Sequence, residues 1–339
     1  MYSAIFTFEN LYNAHLAARL GKRRTPEEIA FELDFSRNIM RLSDELKKRT
    51  YRPAPYYSFY VHDPKKRKIH ALHYADRVVQ HCLCDNILRP LFECRLIYDN
   101  AACRIAKGTH FALMRVSGFM SEFYRKNGDG GWFLKCDISK FFDSIDHRIL
   151  KNLLAKAVKD TDILALLYRI IDGYHSSPGK GLPLGNQTSQ WFAMYYLDSF
   201  DRIIKEKFRI KYYSRYMDDC VLISHDKSKL KYMLEYLSKW LWDSRRLKFN
   251  AKTQIISLKN GTDYLGFHIY VGKNGRIIRK VRQRTSKKFA KKLKMLKNGY
   301  NQGKISVDEI KQVINSYSAH LSHGSCKSLM QKRLSDFVI

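Results

Sequence analysis

Apolar residues along the chain form several short runs that lead into acidic residues. Trp132-Phe133-Leu134-Lys135-Cys136 is followed directly by Asp137. Two further runs, Tyr212–Tyr216 and Cys220–Ser224, are joined by Met217-Asp218-Asp219. Short apolar runs bounded by turn residues predict β-strands. The pattern therefore predicts a sheet with aspartates at the ends of its strands.

Helical spacing of apolar residues dominates the first part of the chain and recurs between the strands. Thr25-Pro26-Glu27-Glu28 is a helix start in which Thr25 caps the first turn and Glu28 reaches back to the cap. Ile29, Leu33 and Phe35 are the candidate core positions of this region. Further helices are expected at about 77–92, 149–171 and 188–207. Helices and strands together predict an α+β fold with a helical N-terminal region.

A basic hairpin is predicted between the N-terminal helices and the first long strand. Tyr57–Val61 runs into a turn at Asp63-Pro64-Lys65-Lys66, and a second strand begins at Arg67. A polar, glycine-containing link from Arg104 to His110 leads into another helix. The chain has no internal repeats and no low-complexity linkers, so we expect one integrated unit rather than a string of separate modules.

The charge balance adds a class of partner to this picture. Lys and Arg number 62 against 32 Asp and Glu, which gives a formal charge of +30, and hydrophobic residues make up 45% of the chain. A compact chain with that much self-repulsion is expected to bind a polyanion. A ribosomal or histone-like binder and a protein of anionic membranes share this property. Because we find neither a run of roughly 18 apolar residues nor a secretory signal, we expect a cytoplasmic protein with no membrane partner.

The seven cysteines favour reduced thiols. Their number is odd and they lie in apolar segments, which is typical of core thiols in a reducing compartment. A zinc site built from Cys82, Cys84, Cys94 and Cys103 is the alternative, although the Cys82-x-Cys84 spacing differs from the usual C-x2-C pair. Reduced core thiols are the favoured interpretation.

Three of the acidic residues suit catalysis by a pair of metal ions. Nucleotidyl transfer needs two Mg²⁺ ions about 4 Å apart, one to activate the attacking hydroxyl and both to stabilise the pentacovalent phosphate. Mg²⁺ prefers hard carboxylate oxygens, and strand ends hold side chains rigidly beside a cleft. Asp137, Asp218 and Asp219 meet these requirements. Taken singly, each has an ordinary alternative as a helix cap, a turn residue or part of a solvated loop.

The residues around these aspartates resemble the catalytic motifs of reverse transcriptases. Tyr216-Met217-Asp218-Asp219 resembles the YxDD signature of that family, and Cys136–Asp143 resembles its first catalytic motif. The resemblance extends over nearly the whole chain. It implies that Asp137, Asp218 and Asp219 hold two Mg²⁺ ions, with the backbone carbonyl of Ile138 as a further ligand. It also implies DNA synthesis from an RNA template, with deoxynucleotides and a DNA or RNA primer as partners.

Phe142 lies five residues after Asp137, at the position where the family places an aromatic steric gate. The resemblance implies that its ring excludes the 2′-hydroxyl of a ribonucleotide, so that the product is DNA. The alternative is that Phe141 and Phe142 are both core residues, which fits at least one of them.

The segment Gly181–Gln190 resembles the loop and helix that hold the nascent base pair. Its glycines allow the backbone to approach a nucleotide closely, and the helix N-terminus that follows can face phosphate. Leu184, Gly185 and Gln190 are the predicted nucleotide-binding residues. Retroviral and group II intron enzymes usually have Gln where this chain has Leu184, and Ser-Pro where it has Ser189-Gln190. The LGxxxSQ pattern instead resembles the enzymes of diversity-generating retroelements and some related bacterial lineages.

Several basic residues resemble positions that bind the triphosphate. Arg67 matches the arginine of the fingers, with Lys65 beside it, and Arg104 matches a position near the incoming nucleotide and template. Lys252 resembles the lysine that approaches the leaving pyrophosphate. Arginine satisfies phosphate oxygens with two donors at once. A solvated basic hairpin is the alternative for Lys65 and Arg67.

The C-terminal part resembles a primer grip followed by a thumb. Tyr264, Leu265 and Gly266 lie in the primer-grip segment. Residues 273–297 carry twelve Lys or Arg and no acidic residue, and Phe289, Leu293 and Leu296 form an apolar stripe among them. An amphipathic helix of this kind can hold the phosphate backbone of a duplex; a solvated basic helix is the alternative. Its candidate contacts are Lys287, Lys288, Lys291 and Lys292.

These resemblances imply the right-hand polymerase fold. Residues 1–50 are expected to form the helical N-terminal region, 51–270 the fingers and palm, and 271–339 the helical thumb. The favoured function is the reverse transcriptase of a diversity-generating retroelement, acting with a structured non-coding RNA and a small basic accessory protein. Two alternatives remain open. One is an anti-phage defence or retron-like reverse transcriptase that uses a dedicated non-coding RNA, and the other is a catalytically inactive RNA-binding relative.

Overall fold

Helices and strands follow one another along a computed structural model that describes residues 2–21, 24–61, 67–335 and 337. The helices are α1 (Tyr2–Ile5), α2 (Phe8–Arg19), α3 (Pro26–Leu33), α4 (Phe35–Lys47), α5 (Tyr74–Leu83), α6 (Arg89–Glu93), α7 (Thr109–Asn127), α8 (Phe141–Ser144), α9 (His147–Ala157), α10 (Thr161–Asp172), α11 (Gln187–Tyr196), α12 (Asp198–Arg202), α13 (Lys227–Arg245), α14 (Gln283–Asn301), α15 (Val307–Leu321) and α16 (Lys327–Ser335). The strands are β1 (Tyr57–Val61), β2 (Arg67–Ala71), β3 (Trp132–Asp137), β4 (Tyr212–Tyr216), β5 (Asp219–Ser224), β6 (Gln254–Ser257), β7 (Thr262–Tyr264), β8 (Phe267–Val271) and β9 (Ile277–Val281).

The chain divides into two compact units, each assembled from separate stretches of sequence. The first unit comprises Met1–Tyr98, Ile138–Ile203 and Tyr236–Phe249. The second unit comprises Asp99–Asp137, Ile204–Glu235 and Asn250–Ile339. Neither unit is a continuous piece of chain, and the predicted divisions at residues 50 and 270 stay predictions.

The helix predicted to start after Thr25 forms as α3 in the first unit. The Thr25 hydroxyl oxygen accepts a hydrogen bond from the Glu28 backbone N–H at 3.2 Å, which satisfies one of the otherwise unpaired donors of the first turn. The Glu28 side chain does not complete a capping box. It is buried, and its carboxylate lies 3.8 Å from the Arg19 guanidinium.

The buried face of α3 differs from the one predicted. Ile29 and Leu33 are 43% and 85% exposed, so their assignment to the core is wrong. Phe31 is buried instead, and its ring packs edge-on against Tyr74 of α5 with the centroids 5.2 Å apart. Apolar residues lie on more than one side of α3, so spacing alone could not identify the side that faces a neighbour.

The basic hairpin is confirmed as an antiparallel pair of β1 and β2. Tyr57 lies opposite Ala71, and Val61 lies opposite Arg67. Residues 62–66, which include Lys65, lie outside the described part of the chain, as does the side chain of Arg67. The helix predicted for 77–92 is confirmed as α5 and α6, with the π-helical segment Cys84–Leu88 between them.

Each of the two longer predicted helices is divided into shorter ones. The 149–171 stretch is interrupted because Asp160 Oδ1 accepts from the backbone N–H groups of Asp162 and Ile163 at 3.0 and 3.1 Å, which starts a new helix, α10. The 188–207 stretch consists of α11, α12 and the π-helical segment Ile203–Lys207. In the 149–171 stretch, a local cap therefore divides what hydrophobic spacing predicts as one continuous helix.

An antiparallel sheet in the order β4-β5-β3-β6 forms the centre of the second unit. The strands predicted at Trp132–Cys136, Tyr212–Tyr216 and Cys220–Ser224 are confirmed. The register places Asp137 opposite Asp219. A 19-residue helix, α13, lies between β5 and β6 in the chain and was not predicted.

A second sheet, β7-β8-β9, and the C-terminal helices complete the second unit. Its core joins side chains of β3, β5 and α7 to those of β8 and α14, among them Phe133, Ile223, Met120, Phe267 and Phe289. The predicted apolar stripe of α14 is confirmed, since Phe289, Leu293 and Leu296 are all buried. β9 shows that the segment after residue 270 contains a strand as well as helices.

All seven cysteines are free thiols, and all except Cys94 and Cys103 are buried. Among the described residues, no group of three or more His, Cys, Asp or Glu side chains is arranged to hold a metal ion, so the zinc alternative gains no support. None of the described helices combines the length and the apolar composition needed to cross a membrane.

Candidate active site

The predicted catalytic residues lie at one end of the main sheet, which we call its carboxylate end. This end comprises Asp137 of β3, Asp218 of the turn between β4 and β5, and Asp219 at the start of β5. Asp137 is the last residue of β3 and Asp219 the first of β5, and the two face each other across the antiparallel pair. Side chains directly opposite on antiparallel strands project from the same face of the sheet. Cys136 and Cys220, the next pair in the register, are buried. Folding of the sheet therefore brings together two carboxylates that are 82 positions apart in the chain.

The turn before β5 is held by a buried arginine. Tyr216 pairs with Asp219, which leaves Met217-Asp218 as a two-residue connection between β4 and β5. Met217 has a φ of +54°, an unusual conformation for a residue other than glycine. Arg215 is 1% exposed and donates from Nη1 to the Met217 carbonyl at 2.8 Å. Arg215 thus supports the turn that carries Asp218, a role that the YxDD pattern gave no reason to expect.

A loop after α13 fixes Asp137 through both its backbone and its side chain. The Asn250 side-chain amide donates to Asp137 Oδ2, and the Asn250 backbone N–H donates to the Asp137 carbonyl at 2.8 Å. Thr253 Oγ1 accepts from the Asp137 backbone N–H at 3.1 Å. The Lys252 backbone N–H in turn donates to Asn250 Oδ1 at 2.7 Å. The predicted pyrophosphate-binding lysine therefore lies in the same loop that orients Asp137, the first of the predicted catalytic aspartates.

Asp219 is a charged group with an incomplete set of partners. Lys135 Nζ lies 3.4 Å from Asp219 Oδ1 and also donates to the Asp263 carbonyl. Asp219 Oδ1 is nevertheless buried without a hydrogen-bond partner among the described residues. Burial raises the pKa of Asp219 to about 6; Lys135 opposes the shift, and the negative charges of Asp137 and Asp218 add to it. A carboxylate oxygen left in this state is suited to a cation.

A cavity of about 570 Å³ opens beside these carboxylates. Its lining brings together the predicted residues Asp137, Asp219 and Lys252. Asp218 is absent from the described residues that line it. The other residues of the lining include the cationic side chains of Lys135 and Arg282. In full they are Lys135, Gln254, Ile256, Asn260, Gly261, Thr262, Asp263, His268 and Arg282.

The two carboxylates in this cavity fit a hard cation in chemistry and in position. They supply carboxylate oxygens from opposite strands, and one of those oxygens lacks a hydrogen-bond partner among the described residues. Within that part of the chain, no set of three ligand side chains is already gathered around a single point. Ile138, the predicted carbonyl ligand, is buried and bridges to Phe249.

The predicted primer-grip residues form a turn next to this cavity lining. Tyr264 is fully buried, with its hydroxyl 3.5 Å from Ser214 Oγ, while Leu265 and Gly266 have φ values of +46° and +90°. The Arg282 backbone N–H donates to the Gly266 carbonyl at 3.1 Å. Tyr264 is therefore a core residue, whereas Leu265 and Gly266 are half-buried.

A separate cavity of about 450 Å³ lies in the first unit. It brings together Leu184, Gly185 and Gln190, three of the predicted nucleotide-binding residues. Gly185 has a φ of +100°, which only glycine adopts without strain. The lining also includes residues of β2, of the connection that follows it and of α5, namely Ile69, His70, Ala71, Leu72, Arg77, Gln80 and His81.

Two side-chain hydrogen bonds hold the loop of this cavity in place. Asn186 Nδ2 donates to the Tyr56 hydroxyl at 2.9 Å. The Thr188 hydroxyl donates to Gln80 Oε1 at 2.7 Å. Both contacts join the start of α11 to segments more than 100 positions earlier in the sequence, so a motif search within Gly181–Gln190 could not have found them.

Phe141 and Phe142, either of which could be a core residue from the sequence, differ in burial in the structure. Phe141 is 3% exposed and belongs to the core, whereas Phe142 is half-buried with its ring edge-on to Phe141 at 5.6 Å. Neither phenylalanine is among the described residues that line these two cavities. Arg104, in the second unit, donates to the Asn100 carbonyl at 3.0 Å.

The candidate thumb lysines lie on α14, away from its buried stripe. Lys287 and Lys291 are exposed, and Lys288 and Lys292 are half-buried. His320 of α15 packs against the Phe267 ring at 5.0 Å, and burial lowers the pKa of His320. The basic face of α14 is thus supported from behind by a packed apolar layer.

Comparison with known proteins relates these motifs to one family. A family described as "Reverse transcriptase (RNA-dependent DNA polymerase)" matches residues 47–269. The protein YkfC of Escherichia coli (strain K12) is 24% identical over 301 residues, which cover 75% of this chain and 78% of YkfC. The group II intron-encoded protein LtrA of Lactococcus lactis subsp. cremoris is 26% identical over 231 residues, which cover 59% of this chain and 36% of LtrA.

Two solved structures share the fold. Telomerase from Candida albicans, solved in complex with a fragment of telomeric RNA, gives a TM-score of 0.53 at 14% identity, covering 74% of this chain and 51% of the telomerase chain. Apo telomerase from Candida tropicalis gives 0.50 at 12% identity, covering 65% and 47%. The chain spans about half the length of these telomerase chains and about a third of LtrA. The likeness confirms the predicted α+β polymerase fold.

Proposed function

The chain belongs to the reverse transcriptase family, and we propose on that premise that it is an RNA-directed DNA polymerase. It extends a DNA or RNA primer with deoxynucleotides along an RNA template. The observation that carries this proposal is the pairing of Asp137 with Asp219 at the end of β3 and β5, beside a cavity that also contains Lys252. A binding protein without catalysis has no use for a partly unsatisfied carboxylate in such a place.

Asp137, Asp218 and Asp219 are the groups that hold two Mg²⁺ ions, with the Ile138 carbonyl as a further ligand. When bound, Mg²⁺ activates the primer 3′-hydroxyl and stabilises charge on the reacting phosphate. Asn250 and Thr253 keep the Asp137 carboxylate pointing in one direction. Lys252 neutralises charge on the departing pyrophosphate, and Lys135 limits the repulsion between the carboxylates.

The remaining predicted residues select and hold the substrates. Leu184, Gly185 and Gln190 contact the incoming nucleotide, and Phe142 excludes its 2′-hydroxyl when a ribonucleotide enters. The basic residues Lys65, Arg67 and Arg104 bind the triphosphate or the template.

The C-terminal elements of the second unit contact the primer and the duplex. The turn of Tyr264, Leu265 and Gly266 positions the primer end. The α14 lysines, Lys287, Lys288, Lys291 and Lys292, hold phosphates of the template–primer duplex without reading its sequence.

Primer extension on a defined RNA template tests the proposal. The wild type should extend a DNA primer with deoxynucleotides in Mg²⁺, and Asp137→Asn and Asp218→Asn should each reduce extension to background. RNA binding measured by mobility shift should persist in both variants, because affinity for a polyanion comes from dispersed Lys and Arg contacts. Asp308→Asn is the matched control, since the Asp308 side chain is 92% exposed on α15. Substantial extension by Asp137→Asn would overturn the assignment of the site.

We further propose that the enzyme serves a diversity-generating retroelement, with a structured non-coding RNA and a small basic accessory protein as partners. Leu184 and the Ser189-Gln190 ending of the motif support this role. An anti-phage defence or retron-like enzyme with a dedicated RNA is the second candidate, supported by the same motif in related bacterial lineages. Sequencing the neighbouring genes separates the two: an imperfect repeat pair with a variable target gene is expected only for the first.

A further inference from the structure

The segment that carries Phe142 is hydrogen-bonded along its length to the loop that leads into Leu184 and Gly185. The Leu182 backbone N–H donates to the Phe142 carbonyl at 2.9 Å, and the Gly181 N–H donates to the Ile145 carbonyl at 2.8 Å. The His147 N–H donates to the Gly179 carbonyl at 2.9 Å. Two segments with predicted roles in nucleotide choice therefore form one backbone-paired assembly within the first unit.

The side chain of His147 adds a further bond to this assembly. His147 is 4% exposed, and its Nε2 lies 2.7 Å from the Gly181 carbonyl oxygen. A carbonyl can only accept, so Nε2 carries the proton and donates it. Gly181 has a φ of +102°, and a Cβ at this position would come within 2.3 Å of Ser176 Oγ. The loop is thus confined to one conformation at Gly181, and His147 fixes the direction of its carbonyl.

The surroundings of His147 favour the neutral donor form. Burial is the main influence that lowers the pKa of His147; His175 and Lys151 lower it further, while the Gly181 carbonyl and Asp172 raise it. The His175 ring lies 4.9 Å away, on the exposed side. His147 Nδ1 is buried and has no hydrogen-bond partner among the described residues. An apolar residue would fill this space without leaving a nitrogen unpaired, so packing alone does not account for a histidine here.

We propose that His147 is a positioning residue for nucleotide selection: by holding the Gly181 carbonyl, it keeps Phe142 in fixed register with Leu184 and Gly185. This inference rests on the proposed polymerase function. His147 does not touch the nucleotide or the metal ligands in this scheme. Loss of its Nε2 donor leaves the Gly181 carbonyl buried and unpaired, and the loop then relaxes away from the Phe142 segment.

Three variants test the proposal by steady-state primer extension with dATP and with ATP. His147→Leu removes the donor, His147→Gln retains an amide N–H of similar reach, and His175→Leu changes the neighbouring exposed ring as a control. In His147→Leu we expect KM for dATP to rise about tenfold, and the preference for dATP over ATP to fall by a similar factor, with little change in kcat. His147→Gln should restore both values most of the way, and His175→Leu should match the wild type.

A purely structural role gives a different result. If His147→Leu lowers the melting temperature but leaves KM for dATP and the sugar preference at wild-type values, the inference is wrong. Failure of His147→Gln to restore these values in a folded protein also overturns it. Hydrogen–deuterium exchange of peptides covering 176–190 gives a readout that does not depend on polymerisation. Exchange should be faster in His147→Leu and normal in His147→Gln, and unchanged exchange contradicts the inference even if the wild type makes no DNA.

Discussion

The carboxylate end of the main sheet and the Gly181–Gln190 loop are both predicted to act on the nucleotide, yet they are built in opposite ways. The first is defined by charge: Asp137 and Asp219 face each other, with Lys135 at 3.4 Å from Asp219 and Lys252 in the same cavity. The second is defined by shape. Its predicted contacts, Leu184, Gly185 and Gln190, carry no charge, and its conformation depends on glycines and on hydrogen bonds to distant segments.

This difference predicts how the two regions respond to change. Carboxylates that hold a metal pair are needed as a set, so weakening one of them lowers the rate with every nucleotide. A pocket that works by shape discriminates through small differences in free energy, so changing its lining alters which nucleotide is used more than how fast it is used. Variants in the first region should therefore lower the rate with every nucleotide, and variants in the second should alter which nucleotide is used.

Apart from the aspartate variants themselves, the largest expected effect is on rate, in Asn250→Ala. The Asn250 side chain donates to Asp137 Oδ2, and residues that orient metal ligands typically contribute about 10–100-fold to activity or metal affinity. We expect a rate loss in that range, a higher Mg²⁺ concentration for half-maximal activity, and an unchanged preference for dATP over ATP. Asn13→Ala, at an exposed position of α2, is the control. An Asn250→Ala enzyme with the wild-type rate and Mg²⁺ requirement would remove Asn250 from the catalytic arrangement.

The contrast also explains how much of the site the sequence could reveal. Asp137 and Asp218-Asp219 stand at the ends of clear apolar strands, so residue type and local pattern were enough to mark them. Arg215 and Asn250 support the same aspartates through contacts that form only in the folded chain, so the sequence alone does not show them. Arg215 follows no local rule, because a buried arginine within a strand looks in sequence like an exposed one.

The loop cavity was predictable only in part. Its own residues were found through the family resemblance, whereas Gln80 and His81 come from α5, about a hundred positions earlier. No spacing rule connects the two segments. His147 was also missed, since a histidine at the start of a helix has no distinctive pattern until Gly181 is placed beside it.

The same limits apply to the fold. The stripe of α14 was identified correctly because Phe289, Leu293 and Leu296 are its main large apolar residues among many lysines. In α13 the buried residues Leu230, Met233, Leu237 and Leu241 have helical spacing, but Tyr232 and Trp242 are exposed on the other side. Exposed aromatics obscure the apolar stripe. The error at Ile29 and Leu33 has the same cause, because α3 has apolar residues on both its buried and its exposed faces.

An intermediate effect is expected in Phe142→Ala, and it should appear as altered choice of sugar. Phe142 is half-buried beside the core residue Phe141, so its removal should disturb the fold less than removal of Phe141. If its ring occupies the space of the 2′-hydroxyl, discrimination between dATP and ATP should fall about tenfold, with a smaller change in the rate with dATP. Phe8→Ala, at a phenylalanine that is 44% exposed in α2, serves as the control. Unchanged discrimination in Phe142→Ala would make Phe142 a packing residue only.

The smallest expected effect concerns fidelity and rests on Leu184, which lines the first unit's cavity. Related enzymes with Gln at this position have an amide that can contribute a polar contact to placement of the nucleotide. Leucine can pack but cannot donate a hydrogen bond, so correct and incorrect pairs should differ by less free energy. Each 1.4 kcal/mol lost corresponds to roughly a tenfold loss of discrimination, and a single weak contact corresponds to about threefold.

Sequencing cDNA copied from a defined RNA measures this effect directly. The wild type should misincorporate more often than Leu184→Gln by about threefold, and the retroelement resemblance implies that the errors concentrate at template adenines. Leu184→Met is the matched control, because methionine keeps the volume and apolar character but adds no donor; its error rate should equal that of the wild type. If Leu184→Gln copies RNA no more accurately than the wild type, Leu184 merely fills an apolar niche. If the wild type is also as accurate as an intron-type enzyme, the shape of this loop does not set fidelity, and the proposed retroelement role loses its main support.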